Sequence, residues 1–290
     1  MANEREEHYK LSDKAFNFIC KYVYDIAGIV LNNNKREMVY RRLSRIVRER
    51  KLSSFEEYYQ VLKANPEGEQ SYFINAITTN LTSFFREKHH FDYMLSDELP
   101  RLIREKQANS KRIRIWSSAS STGEEPYSIA ITLAQALGEK VATWDAKILA
   151  TDIDSDVLAK GKQGVYHQNR IQDLPDNIVS DYFHRGTGKN SDMVRVAEKV
   201  RRLITFKQLN LLHEWPMKGP FDIIFCRNVI IYFDKETQLD LFARYYELLA
   251  PGGLLILGHS ENLGYYQQYF ENVGRTIFRK PVKASVKDKV

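Results

Sequence analysis

From about residue 110 the chain alternates short β-like runs with helical stretches, and no other feature narrows its possible folds as much. "KRIRIW" leads into the helical "EEPYSIAITLAQALG", "AKILATDID" into a helix through "VLAKG", and "LITFKQLN" and "FDIIFCRN" precede the helical "KETQLDLFARYYELLA" and then "GGLLILG". Strands joined through helices run parallel, and a parallel sheet has to be covered by helices on both faces. The expected fold is therefore α/β, a doubly wound sheet. In such sheets ligands sit beyond the carboxyl ends of the strands, so those ends are where chemistry is to be sought.

The first 80 residues have a different texture and read as all-helical. Ser12 can cap a helix that stops at Gly28, and Ser54 with Glu57 forms a capping box before "EYYQVLKAN". Residues 35–51, "KREMVYRRLSRIVRERK", hold eight Lys or Arg against Glu37 and Glu49, a surplus of six that equals the whole chain's net charge of +6. At 100° per residue Val39, Leu43 and Ile46 share one helix face and Arg41, Arg45 and Arg48 the opposite one. That face is either plain solvated surface or a docking surface for a polyanion or an acidic protein helix. The start, "MANEREEHYK", lacks the apolar stretch of a signal peptide, and no uncharged segment reaches membrane-spanning length, so a soluble cytoplasmic protein is expected. Cys20 and Cys226 stand far apart without metal-ligand spacing, and inert buried thiols in a reducing compartment fit them. The closing "KPVKASVKDKV" reads as a frayed basic tail.

Polar residues close the predicted strands. The first delivers Ala119 to Gly123, the second Asp152 and Asp154, "LITFKQLN" delivers Asn210, and "FDIIFCRN" delivers Arg227 and Asn228. An acid ending the second strand can accept both hydroxyls of a ribose, which suits Asp152, whereas Asp154 or Asp156 is better placed to cap the next helix. The turn in "WSSASSTGEEPYSIA" has one glycine where a pyrophosphate-binding turn has several. Small residues Ala119, Ser120, Ser121 and Gly123, followed by Glu124 and Glu125, suit a ligand with no phosphate and a cationic end, such as S-adenosylmethionine. Acids and a proline in a first helical turn are equally ordinary dipole chemistry, so spacing alone leaves both readings open.

The segments "TTNLTSFFRE", "WSSASSTGEEPYSIAITLA", "DID", "YFHRGTG", "QLNLL", "GPFDIIFCRNVIIYFDK" and "GGLLILGHSEN", in this order from about residue 11 to 280, resemble the CheR family of bacterial chemotaxis receptor methyltransferases. The resemblance implies a helical N-terminal domain over 1–80, a linker and connecting helix over 81–110, and a methyltransferase domain over 111–290 with a small antiparallel β-subdomain at about 182–206. It implies transfer of the methyl group of S-adenosylmethionine to receptor glutamates, with S-adenosylhomocysteine as product and no metal. Position by position, it places Asn80, Thr82 and Arg86 at the cofactor and reaction centre, and Glu125, ahead of Glu124, on the methionine ammonium. It places Asp152 on the ribose, Asn210 and Leu211 by the adenine, Arg227 and Asn228 at the methionyl end, and Tyr232 beside the reacting groups. Leu211 is equally a core residue, and Thr82 or Ser83 can cap a helix "FFREKHHF". His89 and His90, adjacent on that helix, are expected to be structural.

Residues 182–206 read as three short strands around a Gly-Thr-Gly turn. In relatives with this turn the β-subdomain adds a receptor-tail peptide as an extra strand, which makes Arg185, Gly186 and Gly188 candidate peptide-binding residues and Arg41, Arg45 and Arg48 candidate receptor-binding ones. Asp192 stands where a second glycine is common, a departure that bears on peptide preference. The expected partner is a receptor cytoplasmic domain, met by a monomer without nucleic acid or membrane insertion. A nucleic-acid methyltransferase and a non-catalytic cofactor-binding adaptor are the alternatives; the arginine helix lacks interleaved aromatics for the first, and intact site residues oppose the second.

Overall fold

The computed structural model describes residues 9–282, so all but the first three residues of the basic tail lie outside the described part. The chain forms two compact units, one of residues up to Thr79 together with Tyr232–Asp234, the other running from Asn80 to Ile231 and from Lys235 onward.

The first unit is helical: α1 (Asp13–Ala27), α2 (Arg36–Glu49), α3 (Phe55–Ala64) and α4 (Pro66–Ile77). Local chemistry sets their ends. The Ser12 hydroxyl accepts from the Ala15 N–H at 3.1 Å, and Gly28 leaves α1 at φ 66° while its N–H donates to the Tyr24 carbonyl. Ser54 accepts from the Glu57 N–H at 3.1 Å, but the Glu57 carboxylate returns to the N–H of Ser53 rather than Ser54, a capping box displaced by one residue. On α2 the expected faces hold: Val39, Leu43 and Ile46 are buried and Arg41, Arg45 and Arg48 exposed. Arg42, between the two faces, donates to the carbonyls of Ile77 (2.5 Å) and Thr78 (2.7 Å) and so satisfies the end of α4. Tyr232–Asp234 join this unit through the Val30 N–H to the Tyr232 carbonyl (2.8 Å) and the Tyr24 hydroxyl to Asp234 (2.7 Å).

The second unit opens with α5 (His89–Tyr93), a wider π-helical turn over Met94–Glu98, and α6 (Leu99–Lys106). The expected helix through "FFREKHHF" begins only at His89, because Phe85 and Glu87 take left-handed φ values of 51° and 59°. Thr82 and Ser83 therefore cap no helix. The α/β part follows as β1 (Arg112–Ser117), α7 (Glu124–Leu137), β2 (Asp145–Asp152), α8 (Ser155–Gln163), β3 (Val165–His167), α9 (Asp176–Tyr182), β4 (Phe183–Arg185), β5 (Met193–Val196) and α10 (Glu198–Arg201). It continues with β6 (Ile204–Gln208), β7 (Phe221–Cys226), α11 (Lys235–Leu248), β8 (Leu249–Leu257), β9 (Glu271–Gly274) and β10 (Ile277–Arg279).

The large sheet has the order β6-β2-β1-β7-β8-β10-β9, parallel through its first five strands with β10 antiparallel to both its neighbours. Apart from Asp222, β7 is apolar on both faces, as is the end of β8, as a strand covered from both sides must be, whereas β1 sets Arg112 and Arg114 on one face and Ile113 and Ile115 on the other. Trp116 fills the space below the site, packed against Trp215 and Tyr245, with its indole N–H donating to Thr151 at 2.9 Å. The small sheet has the order β3-β5-β4 and is antiparallel. This corrects the reading of three strands within 182–206: β4 and β5 lie there, but "LITF" belongs to β6 of the large sheet, and the third small strand is β3, before the expected boundary. Three residues of strand among polar neighbours carry too little period-2 signal to be read locally. No described helix is long and apolar enough to cross a membrane.

Candidate functional site

Strand order reverses between β1 and β7: the chain goes outward from β1 to β2 and β6 on one side, then resumes at β7 and β8 on the other. At such a reversal the connections leave in opposite directions and open a crevice beyond the strand ends. The turn after β1 is clamped into that crevice. The Ser118 N–H donates to the Phe225 carbonyl (2.9 Å), the Ser120 N–H to the Thr151 carbonyl (2.8 Å), and the Ser121 N–H to the Asp152 carboxylate (2.8 Å). Gly123, at φ 99°, ends the turn, and a Cβ there would lie 2.8 Å from the Gly161 Cα and 2.9 Å from the Tyr166 hydroxyl. Only glycine allows α7 to start this close to α8.

Asp152 is buried, and its second oxygen accepts the Asp154 N–H at 3.0 Å. Burial pushes its carboxyl up to about 6, against the pull of these N–H groups. Asp154 performs the capping expected of it, accepting the N–H groups of Asp156 (2.9 Å) and Val157 (3.2 Å), and its other oxygen holds the Asn80 amide at 2.7 Å. The Leu209 N–H donates to the Asp152 carbonyl (2.9 Å), so Asn210 and Leu211, which follow β6, start beside the end of β2. Asn210 accepts the Leu212 N–H (3.0 Å); Leu211 is buried, with its carbonyl taken by Trp215 (3.1 Å) and Arg244 (2.8 Å).

The two glutamates opening α7 diverge. Glu124 pairs with Arg170, which also donates to the Thr82 carbonyl (2.6 Å), and accepts the Thr122 hydroxyl (2.6 Å). Glu125 accepts the Ser117 hydroxyl (2.7 Å) and one nitrogen of Arg227 (2.9 Å). Burial raises the Glu125 pKa in spite of Arg227 beside it. Arg227 is almost wholly buried; its other terminal nitrogen donates to the Arg86 carbonyl (2.5 Å) and lies 3.3 Å from the Glu87 carboxylate. Burial would raise the Glu87 carboxyl, but hydrogen bonds from His259 and the charge of Arg227 hold it at about 2. Arg86 itself is partly exposed, with its side chain donating to the Leu81 carbonyl (2.9 Å).

Asn228 follows β7 at φ 58°, and beyond it Glu261 gathers four backbone N–H groups, from Asn228, Val229, Ile230 and Gly258, at 2.7–2.9 Å. Seven described non-glycine residues have positive φ, and four of them, Phe85, Glu87, Ser121 and Asn228, lie around this crevice. Backbone strain of this kind costs roughly 1–3 kcal/mol per residue and collects where a site demands a fixed geometry. His89 and His90 meet, with their rings 4.0 Å apart, and with Glu87 they bring three ligand atoms within 4.8 Å. Arg227 and His259 already occupy the Glu87 carboxylate, and a guanidinium there opposes a divalent ion. Burial, with Arg227 and His89 nearby, drives the His90 pKa down to about 3, so that buried ring is neutral.

These bonds link Asn80, Glu125, Asp152, Arg227 and Asn228 around the ends of β1, β2 and β7 and tie in Thr82 and Arg86 through their backbone carbonyls, whereas Asn210 and the buried Leu211 follow β6. Tyr232 and the arginines of α2 belong to the other compact unit. Arg185 ends β4, Gly186 donates to the Met193 carbonyl (2.9 Å) and Gly188 has φ 58°, all in the small sheet's turn. Glu87, Arg170, His259 and Glu261 escaped the sequence reading. Glu87, His259 and Glu261 stand inside "TSFFRE" and "GHSEN", where a charge beside a strand end was the available signal; Arg170 had none, since its partner is 46 residues away.

Two family models cover the chain: the CheR methyltransferase all-alpha domain matches residues 14–78, and the CheR methyltransferase SAM binding domain matches residues 80–279. The chain is 47% identical over 277 residues to chemotaxis protein methyltransferase 2 of Pseudomonas aeruginosa, covering 94% of this chain and 95% of that one. It is 46% identical over 270 residues to the chemotaxis protein methyltransferase of Salmonella typhimurium, covering 92% and 90%, and 45% identical over 274 residues to that of Escherichia coli, covering 94% and 92%. The crevice fits S-adenosylmethionine by its donor set, with an acid closing β2, a small-residue turn without phosphate chemistry, and buried carboxylates in excess of cations. With both of its domains matched in order and a site of this chemistry at the strand ends, the chain belongs to the CheR family of S-adenosylmethionine-dependent methyltransferases.

Proposed function

We propose that this chain methylates glutamate side chains on the cytoplasmic helices of chemotaxis receptors, forming methyl esters and S-adenosylhomocysteine. The observation that carries the reading is the charge of the crevice, where Glu125 and Glu87 outnumber Arg227, joined to family membership over both domains. When bound, the cofactor supplies an electrophilic methyl on a sulfonium, whose S–C bond breaks as the carboxylate O–C bond forms and whose electron pair stays on sulfur.

Asp152 would accept the ribose hydroxyls, Asn210 and Leu211 would flank the adenine, and Glu125 would take the ammonium, with Arg227 and Asn228 closing that end. Asn80 ties the segment carrying Thr82 and Arg86 to Asp154. The substrate carboxylate is already an anion near neutral pH, with an unperturbed pKa of about 4.3, so no general base is needed. The remaining task is to hold that weak nucleophile in line and free of water; good alignment is worth roughly 7–11 kcal/mol. Arg86 offers a planar fork for this. The test is to incubate the protein with methyl-labelled cofactor and receptor fragments and treat the product with base. Release of label as methanol marks a carboxyl ester; label retained in base, or label passing to RNA instead, refutes the assignment.

A further inference from the structure

Glu87 holds a conformation that glutamate rarely adopts, and such a conformation persists only where its surroundings over-determine it. Two chain segments do so here, one after β8 and one at the end of β7. His259 donates its backbone N–H (3.1 Å) and places Nδ1 2.8 Å from the carboxylate, Asn228 reaches it at 3.5 Å, and Arg227 at 3.3 Å. Arg227 is thereby shared between Glu87 and Glu125, while its donation to the Arg86 carbonyl ties the loop to the end of β7. One buried guanidinium faces two carboxylates, and with both of them ionised the cluster carries one negative charge in excess.

We propose that Glu87 is a positioning and specificity residue: by holding Arg227 between itself and Glu125, it sustains the excess negative charge that favours a cationic sulfonium cofactor over its neutral thioether product. The inference rests on the S-adenosylmethionine reading of the crevice. Cofactor and product share the ammonium, carboxylate, ribose and adenine and differ in one methyl and one positive charge on sulfur. Contacts to the shared groups affect both ligands alike, whereas a net charge acts on the difference. Without the Glu87 charge, Arg227 turns its whole charge on Glu125 and the cluster becomes neutral.

The test compares Glu87→Asp with Glu87→Asn. Both residues tolerate left-handed backbone and have nearly the same shape, so the pair differs in charge and in one acceptor exchanged for a donor. Calorimetric titration near neutral pH measures S-adenosylmethionine and S-adenosylhomocysteine separately, with no turnover required. Glu87→Asn is expected to weaken the cofactor about tenfold and the product by less than about twofold, while Glu87→Asp keeps the wild-type ratio. Glu87→Gln, which keeps the side-chain length, serves if the shorter variants do not fold and is expected to behave as Glu87→Asn. Equal loss for both ligands, or equal ratios in the charged and neutral variants, overturns the assignment and leaves Glu87 a structural clamp. Wild-type protein that binds neither ligand instead refutes the cofactor reading itself, and the role of Glu87 with it.

Discussion

Asp152 is a carboxylate that the fold buries and only partly compensates. Its pKa is raised in the folded state to about 6, so the folded chain holds this proton more tightly than the unfolded one. By itself the group therefore makes the ligand-free protein less stable as pH rises through about 6. Ligand binding runs the other way, because ribose hydroxyls need the ionised acceptor. Affinity for S-adenosylmethionine is expected to fall about tenfold per unit as pH drops below the folded pKa. Asp152→Ala should weaken binding at mildly alkaline pH by roughly 1.5–3 kcal/mol and flatten this pH slope, with circular dichroism unchanged. A slope that survives in Asp152→Ala shows that another group titrates. At Arg86 the expected signature is kinetic: Arg86→Ala lowers turnover by at least about tenfold with cofactor affinity nearly intact, and Arg86→Lys recovers little, since an ammonium lacks the fork. Wild-type turnover in the lysine variant refutes alignment by Arg86.

Among the elements, β4 offers the clearest handle. It lies at the edge of the small sheet, and the bonds from Ala197 to Tyr182 and from Gly186 to Met193 alternate so that the Arg185 N–H faces away from β5. An incoming receptor-tail strand would take its first hydrogen bonds there. Arg185→Pro removes that donor without breaking the pairing to β5 and is expected to abolish peptide capture in fluorescence anisotropy while cofactor affinity stays within about twofold. Unchanged capture of a tail peptide places its strand elsewhere, and no binding of any tail to wild type reduces the small sheet to a structural element. Asp192 sits in this turn with its carboxylate 3.4 Å from His167, where a glycine would offer no such contact.

For the molecule as a whole, charge is concentrated on one helix. Arg41, Arg45 and Arg48 are exposed on α2, and the face they form carries i,i+4 contacts from Arg41 to Glu37 (3.9 Å) and from Arg45 to Glu49 (2.7 Å). Exposed pairs of this kind are worth about 0.3–0.5 kcal/mol, too little to cancel the field. Helices rich in methyl-accepting glutamates are acidic, so the face can steer them. Such steering is screened within about 8 Å at physiological ionic strength. Catalytic efficiency on receptor should therefore fall with added salt while cofactor affinity holds. Reversing the three arginines to glutamate is expected to raise the apparent KM for receptor at least about tenfold and remove its salt dependence, leaving kcat and the fold intact. A salt-sensitive RNA affinity lost in the same variant would point to a polyanion partner, and no change in either marks a plain solvated face.

What could be read from the chain alone was what neighbouring residues settle between themselves. Ser12, Ser54, Gly28 and Asp154 end or begin helices through bonds reaching two to four residues, and the alternation of β-like runs with helices declares a doubly covered parallel sheet. Asp152, Arg227 and Asn228 could be named as site candidates because parallel topology sends every strand's carboxyl end to the same crevice. Folding in three dimensions decided the rest. β3 joins β5 across 25 intervening residues, Arg170 finds Glu124, and Arg227 comes between Glu125 and Glu87, 102 and 140 positions away. Phe85 and Glu87 turn left-handed where local preference reads helix, since contacts from β7 and from the loop after β8 outweigh a propensity of less than about 1 kcal/mol per residue. Charge balance in a buried cluster depends on which distant side chains share it, and only the packed structure sets that.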